Sequence, residues 1–558
     1  MKKRWDGLFV AAIAGAAYVR AGFAEVFWDD EYLSTRNPYL STLEGIRFLV
    51  SHDLWIASAK GEPGGYWRPL ASLSLALNRA AAGNSAASYH AGNVLLHAAV
   101  SAALVVFARR LGLGRWVAAV IGLWFATTPL GSEAVVWISG RFDLLGALLT
   151  VVACILHISR RPLGCALALA GALACKETFF VAPVMLAGYE LFVGRGPMRA
   201  RRWLAGPGLA LLAIFTYSAA RAWVGVSSAT QAAAISGGAR LLPAFSFVVT
   251  TLHRGLVAPS TLSPFHAYAP ESTVRACATL AMVAVVSTGF AFIALRRGAS
   301  KPVKIAAFGW LWWMVGITPT SLTAANQFVV GDRYAYFPMI GLALAAGGLV
   351  AAAAPRLRAR SFVALAVGLA ALGALQTVSL QRRVTDWQTA QGLLEVTYAR
   401  DPGNFYAAAA LGEHRARHGR FAEAEVLLVA AQRAAPGRSD SGSGFTWPIE
   451  TALCFVYLNE GRYAEGEAAC RSRIAQAPHD PRAWLNLATI QLRQGRFPEA
   501  AQAAAAAIAR KPTYVEARLV RAMALRALGQ PGDARAEAER VLRLDAGNVR
   551  AKALATGQ

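Results

Sequence analysis

Apolar residues in this chain come in runs, from the N-terminus to about Ser379, separated by short polar or basic stretches. The first run, roughly Leu8 to Ala24, follows Lys2, Lys3 and Arg4. It has the charge and length of a signal peptide, and Ala21-Gly-Phe-Ala24 resembles a weak cleavage site. An uncleaved first span is preferred, because the acidic stretch just after it should stay anchored at the membrane. Either way the N-terminus starts inside and the next segment is outside. Residues Glu25 to His90 form a long polar loop, in which Leu43 to Val50 and Leu70 to Ala82 read as short amphipathic helices. Further apolar runs follow near 92–108, 116–130, 143–158, 163–175, 178–194, 203–223, 276–295, 305–323, 334–353 and 361–379. A span needs about 20 mostly apolar residues, and several of these runs are near the short limit.

From Phe405 the pattern changes to polar helices with small residues at fixed intervals. Gly461, Gly495 and Gly529 are spaced by 34, as are Pro478 and Pro512. Trp484, Leu487, Ala488, Ala500 and Ala507 occupy positions that tetratricopeptide repeats favour. Small residues let the two helices of a unit approach closely, and Gly or Pro ends each helix. Four units are expected, 405–436, 447–478, 481–512 and 515–546, with Gly437-Arg-Ser-Asp-Ser-Gly-Ser-Gly444 as an insert. The predicted fold is all-α. A polytopic membrane domain of about eleven spans (1–380) is followed by a linker (381–404) and a tetratricopeptide α-solenoid (405–558). The solenoid offers a concave surface for a peptide or protein.

Composition agrees: 56% of the 558 residues are hydrophobic and 16% charged, with mean hydropathy +0.39. Lys and Arg total 56 against 32 Asp and Glu, which would suit nucleic acid. The basic residues instead cluster in short turns between apolar runs, as the positive-inside rule predicts, so nucleic acid is rejected. Examples are Arg109, Arg110 and Arg115; Arg160 and Arg161; Arg195, Arg199, Arg201 and Arg202; Arg296, Arg297, Lys301 and Lys304; and Arg356, Arg358 and Arg360. Parity places all of these on the N-terminal side if Leu241 to Ala258, with His253, Arg254 and the following Pro259, does not cross. The repeats then lie outside, in the periplasm if the membrane is a bacterial plasma membrane. The six cysteines show no metal-type spacing. Cys454 and Cys470 fall on facing helices of one repeat, where either a disulfide or two small packing residues fits.

The outer side collects charged residues that helix packing does not need, and ionisable residues at membrane depth are functional candidates. Phe27-Trp-Asp-Asp-Glu31 puts Asp29, Asp30 and Glu31 together, so one carboxyl can be tuned towards a base, although position alone also suits an ordinary acidic loop. Tyr66-Trp-Arg-Pro-Leu70 offers Arg68 to an anionic head group or to the interface. His90, Asn93 and His97 share a helical face, but the two His lie about 10.5 Å apart along the axis, too far for one metal ion, which leaves hydrogen bonding. Glu133, Arg141 and Asp143 lie on the next outer loop, Lys176-Glu177 in a short outer turn, and Arg333-Tyr334 where a loop re-enters the membrane. Arg141, Lys176 and Arg333 together suit a phosphate.

The order of these motifs resembles the GT-C superfamily of polyprenyl-phosphate-sugar glycosyltransferases, and most of all the TMTC-type protein O-mannosyltransferases and their bacterial relatives, which carry C-terminal tetratricopeptide repeats. The matching stretches are Trp28-Asp-Asp30 with Asn37-Pro38, Tyr66 to Leu70, His90 to His97, Glu133-Ala-Val with Gly140 to Asp143, Lys176-Glu177, and Asp332-Arg-Tyr-Ala-Tyr-Phe-Pro338. A departure appears at Leu130-Gly131-Ser132, where relatives often carry His and Thr. The resemblance implies inverting transfer of a hexose, mannose on the family pattern, from a lipid-linked donor to a hydroxyl of a protein or glycan acceptor. It makes Asp30 or Asp29 the catalytic base, with Glu31 blurring which acids match the family's pair. No cofactor is implied, and a metal is optional.

Two other functions compete with this one. A non-catalytic scaffold recruiting partners through its repeats needs neither the acidic pair nor the outer cations. A transporter places its ionisable residues mid-span, whereas here they lie at the outer ends.

Overall fold

The apolar runs become helices packed by their small and aromatic faces. A computed structural model describes residues 5–61, 64–194, 203–226, 238–267, 273–327, 329–434 and 449–556. The basic turn at 195–202 and the insert 437–444 lie outside them. The chain divides into two compact units, Met1–Arg400 and Asp401–Gln558.

In the first unit, eight helices among the described residues are long and apolar enough to cross a membrane: Trp5–Phe23, Ala86–Leu111, Ile138–Ile158, Leu204–Trp223, Thr273–Leu295, Lys301–Leu322, Asp332–Arg356 and Ala359–Asp386. A ninth candidate is Arg115–Thr127 with Pro129–Val136, bent by 52°. The bend falls at Thr128, whose extended backbone (ψ 131°) is what a following proline imposes. The expected count of about eleven is therefore not reached by length. The runs 163–175 and 178–194 form Pro162–Leu173 and Ala182–Phe192, of 12 and 11 residues. At ~1.5 Å per residue these reach roughly 18 Å, short of a ~30 Å hydrocarbon core. Leu241–Val257 also falls short of a span, and its helix carries Pro243.

Two glycines allow the closest crossing. A methyl on Gly309 would meet the Gly341 carbonyl oxygen at 2.5 Å, and one on Gly341 the Gly309 carbonyl oxygen at 2.5 Å, so Lys301–Gln327 and Tyr336–Ala353 touch backbone to backbone. Thr273–Leu295 is the opposite case. It is almost wholly uncovered, with Val274, Met282, Val285 and Phe292 exposed, as suits a lipid-facing helix.

The outer loop has a core of its own. Leu33, Leu40, Leu49, Leu54, Leu75, Ile138 and Phe142 are buried together, and the helices Leu43–Ser51 and Pro69–Ala82 frame it. Thr42 caps the first by accepting from the Gly45 N–H at 3.0 Å, and Pro69 opens the second. The stretch expected as a linker from 381 is not an open tether. The last membrane helix continues to Asp386, Ala390–Arg400 is helical, and Arg383, Trp387, Leu393 and Leu394 are buried. The one strand pairing among the described residues is short, His266 with Val330 and Ala267 with Val329.

The second unit is four helical pairs: Phe405–Arg417 with Phe421–Ala434, Ile449–Asn459 with Tyr463–Gln476, Pro481–Arg493 with Phe497–Arg510, and Val515–Ala527 with Pro531–Leu544. Val549–Thr556 follows the last pair. The glycine inside each pair, Gly419, Gly461, Gly495 and Gly529, has φ +75°. That left-handed turn ends the first helix at little cost only without a Cβ, which explains the period seen in the sequence. Cys454 and Cys470 are joined as a disulfide with Cα atoms 5.4 Å apart, so the bond, rather than mere packing of small residues, is present.

Candidate functional site

The site gathers around the acidic stretch that follows the first membrane helix. Asp30 is buried, 2% exposed. Its Oδ2 accepts the Ile138 N–H at 2.7 Å, its Oδ1 accepts the Ser139 N–H at 2.7 Å, and the Ser139 hydroxyl also donates to it. Burial pushes its carboxyl up to about 7, against those three donors, and the neighbouring Asp29 charge adds to the rise. Asp30 thus ties the acidic loop to the start of the Arg141–Ile158 helix.

Asp29 differs. It is half-buried, and no described residue hydrogen-bonds its carboxylate. Burial raises its pKa, while the charges of Lys60, Arg333 and Arg68 lower it. Asp30 has its lone pairs engaged and no access to solvent, whereas the Asp29 carboxylate stays open. Glu31 leaves the cluster: it pairs with Arg36 at 3.1 Å on the surface.

Arg333 and Arg68, whose charges act on Asp29, and Lys176 beside them are each held by a carboxylate. Arg333 donates to Glu133 from Nη1, and its backbone N–H donates to Glu133 Oε2 at 3.0 Å. Its guanidinium lies 4.5 Å from the Trp137 ring and 4.6 Å from the Tyr334 ring. Lys176 donates to both oxygens of Asp143, at 2.7 and 2.8 Å, over the Tyr334 ring. Burial lowers its pKa; Asp143 opposes this, and Arg68 and Arg333 reinforce it. Arg68 pairs with Glu177 at 2.9 Å between Tyr66 and Phe142. Lys60 is the fourth cation, and sequence reasoning missed it. Its loop is ordered by Asp53, which accepts the N–H groups of Trp55, Ile56, Gly64 and Tyr66. A single lysine in a polar loop gives no periodic signal.

Arg141 is not available to a phosphate, contrary to the sequence expectation. Its guanidinium is buried and donates to the Asn93 side chain, the Ser74 carbonyl, the Asn78 side chain and the Tyr89 carbonyl. Asn93 also donates to the Trp137 and Ile138 carbonyls, and so braces the loop that holds Asp30. His97 bonds the Tyr336 hydroxyl at 2.8 Å and the Ala126 carbonyl at 3.1 Å, deep in the helices. His90 is buried one helical turn before Asn93. Asn37 donates to the Ala57 carbonyl at 3.1 Å and shapes the outer loop.

The comparisons with known proteins fall on both units. Tetratricopeptide-repeat family models match residues 375–439, 456–515 and 491–556. The mouse and human proteins named Protein O-mannosyl-transferase TMTC2 are each 33% identical over 201 residues, 33% of this chain and 24% of theirs. Drosophila melanogaster Tmtc2 is 32% identical over 202 residues, 34% of this chain and 22% of its own. The chain thus spans about a quarter of the length of the curated relatives it matches. Among solved structures, the tetratricopeptide-repeat protein YrrB covers 32% of this chain at 14% identity with a TM-score of 0.25, a likeness too weak to carry an argument. Over about a third of its length the chain is similar to proteins named Protein O-mannosyl-transferase; it has helices long and apolar enough to cross a membrane, and tetratricopeptide repeats in its C-terminal unit.

Proposed function

We propose that this chain is a membrane glycosyltransferase that moves a hexose from a polyprenyl-phosphate donor to a hydroxyl, a protein Ser or Thr on the pattern of its relatives' names. The observation that carries the reading is Asp29: an open carboxylate surrounded by cations from separate segments, Lys60, Arg68 and Arg333, with Lys176 beside the two arginines. A carboxylate that accepts no hydrogen bond from the described residues, amid positive charge, suits removal of a proton beside a phosphate leaving group.

In this mechanism the acceptor hydroxyl gives its proton to Asp29 as its oxygen attacks the anomeric carbon. The bond from that carbon to the phosphate oxygen breaks, the electron pair leaves with the phosphate, and the sugar inverts. Arg333, Lys176, Arg68 and Lys60 stabilise the phosphate charge. Asp30 holds the loop against Ile138 and Ser139 so that Asp29 keeps its aim.

The reaction face is the outer one, with the repeats in the periplasm of a bacterium. With the bent pair counted as one span, nine spans or eleven are both odd, so the two short helices do not alter the side on which the chain emerges. The Cys454–Cys470 disulfide also suits an oxidising compartment. The repeat unit then engages the protein acceptor.

The test uses purified full-length protein, a labelled polyprenyl-phosphate hexose and a serine-bearing peptide. Labelled peptide and free polyprenyl phosphate should appear together. Tight donor binding with no transfer to any hydroxyl acceptor would sink the proposal in favour of a scaffold.

A further inference from the structure

The stretch leaving the last membrane helix does more than lead to the repeats. Trp387 is fully buried, 0% exposed. Its ring lies 6.1 Å from Phe27, stacked; 6.5 Å from Trp28, edge-on; and 6.4 Å from Trp137, stacked. Its indole N–H finds no acceptor among the described residues, so packing against those rings fixes it. The next residues are tied to the same loop: the Glu25 N–H donates to the Gln388 carbonyl at 2.8 Å, and the Ala390 N–H to Glu25 Oε2 at 3.3 Å. Arg383, one turn earlier, is buried against Asp332 at 3.4 Å and Asp386 at 3.4 Å. Arg400 returns to Asp386 at 3.0 Å and to the Leu262 carbonyl at 3.4 Å. Residues 383–400 therefore strap together the acidic loop, the 332–338 motif and the 262–267 loop.

What the strap holds is strained. Trp28 has φ +55°, a left-handed backbone that a bulky side chain adopts only where its surroundings over-determine it. Those surroundings are the rings of Phe27 at 4.9 Å, Phe265 at 5.3 Å, Trp137 at 6.3 Å and Trp387 at 6.5 Å. The residue that follows is Asp29. The geometry points to Trp387 as a positioning residue that locks Trp28 in its left-handed turn and thereby aims the Asp29 carboxylate at the reacting hydroxyl. The second half of this statement rests on Asp29 being the base, as proposed above; the lock does not.

Trp387→Ala and Trp387→Leu in the full-length protein test the two halves separately. Amide hydrogen exchange needs no substrate: exchange at residues 25–31 should quicken in both variants, while exchange in the repeats stays as in the parent chain. Turnover should fall by about 10²-fold, the scale of a small misplacement of a reacting group, with donor Kd unchanged. Should Trp387→Ala fail to fold, Trp387→Leu keeps apolar volume without the stacking ring and decides alone. Unchanged exchange at 25–31 in a folded variant overturns the lock. Faster exchange with parental turnover overturns the aiming. If the parent chain transfers no sugar, the exchange result still decides the lock and the failure belongs to the transferase reading.

Discussion

The two units use ion pairs in opposite ways. In the repeats, the pairs that recur from unit to unit are local and exposed. Arg420–Glu423, Arg462–Glu465 and Arg496–Glu499 each join residues three apart at 2.6, 2.6 and 3.2 Å, with both side chains at least a third exposed. Each recurs at the same place in its unit because the helical pair recurs. Near Asp29, in the membrane unit, the pairs are largely buried and join distant segments: Arg333 with Glu133 across 200 residues, Arg68 with Glu177 across 109. Exposed pairs gain little in water, whereas a buried charge is costly unless its partner is in place. The first kind decorates a fold set by packing; the second fixes where charges sit around Asp29.

The largest test of that difference lies within the acidic pair. Asp29→Asn should lower turnover by ~10²–10⁴-fold, the usual loss for a general base, with the unfolding midpoint unchanged. Asp30→Asn should lower the midpoint, because an amide cannot accept from both Ile138 and Ser139, and leaving one donor unmet costs ~1–3 kcal/mol. The pH dependence follows from the sign of the shift. Asp30 is raised to about 7 in the folded protein, so the folded state holds a proton that the unfolded chain has lost. Its contribution to stability is full below the ordinary carboxyl value of ~3.9 and is lost as pH rises through about 7. Stability of Asp30→Asn should lack that decline. Equal loss of turnover in both variants, with neither midpoint moved, would contradict the division of roles.

Much of the fold was legible because its signals are local. A 34-residue glycine period, apolar runs and a proline at a helix start each report on a few neighbouring residues. The site was legible only as a set of short motifs on one side. Nothing local says that Arg141 spends its donors on Ser74, Asn78, Tyr89 and Asn93, or that the Lys60 charge acts on Asp29. These facts depend on which distant segment arrives beside which. Trp387 was hidden for the same reason, inside a stretch whose polarity reads as a linker.

The next test sets a buried pair against an exposed one. Glu133 is 0% exposed and holds Arg333 by two donors. Glu133→Gln leaves the partly buried Arg333 guanidinium without its counter-charge, an effect below the ~3–5 kcal/mol of a pair buried on both sides. Thermal unfolding in detergent should show it, and donor affinity should fall as Arg333 moves. Arg420→Ala removes an exposed pair with Glu423 and should leave the midpoint where it was. If the two substitutions act alike, burial is not what separates the two kinds of pair.

A covalent link tests the repeats' own stability. Cys454 and Cys470 are 16 residues apart. Closing a loop of that size is expected to contribute ~3 kcal/mol. Adding a thiol reductant should lower the unfolding midpoint of the repeats, and the Cys454→Ala, Cys470→Ala double variant should start low and ignore the reductant. A parent chain indifferent to reductant would mean that the bond is absent from the mature protein.

The smallest effect is also the cleanest reading of the repeat period. Gly495 has φ +75°, and a Cβ built there meets no atom within 4 Å. Gly495→Ala therefore adds no clash and removes no contact; it charges only the left-handed backbone, ~1–2 kcal/mol for a residue with a Cβ. Gly529 stands in the same environment, with the same φ and the same open space. Its alanine variant should cost the same, and the double variant about the sum, since sites this far apart without shared partners act independently. Sugar transfer to a short peptide should be unaffected in all three, because these turns lie in the repeat unit and the acidic loop in the other. An unfolding midpoint unchanged by Gly495→Ala would mean that the glycine period marks something other than the turn, and the sequence argument for the repeats would lose its physical cause.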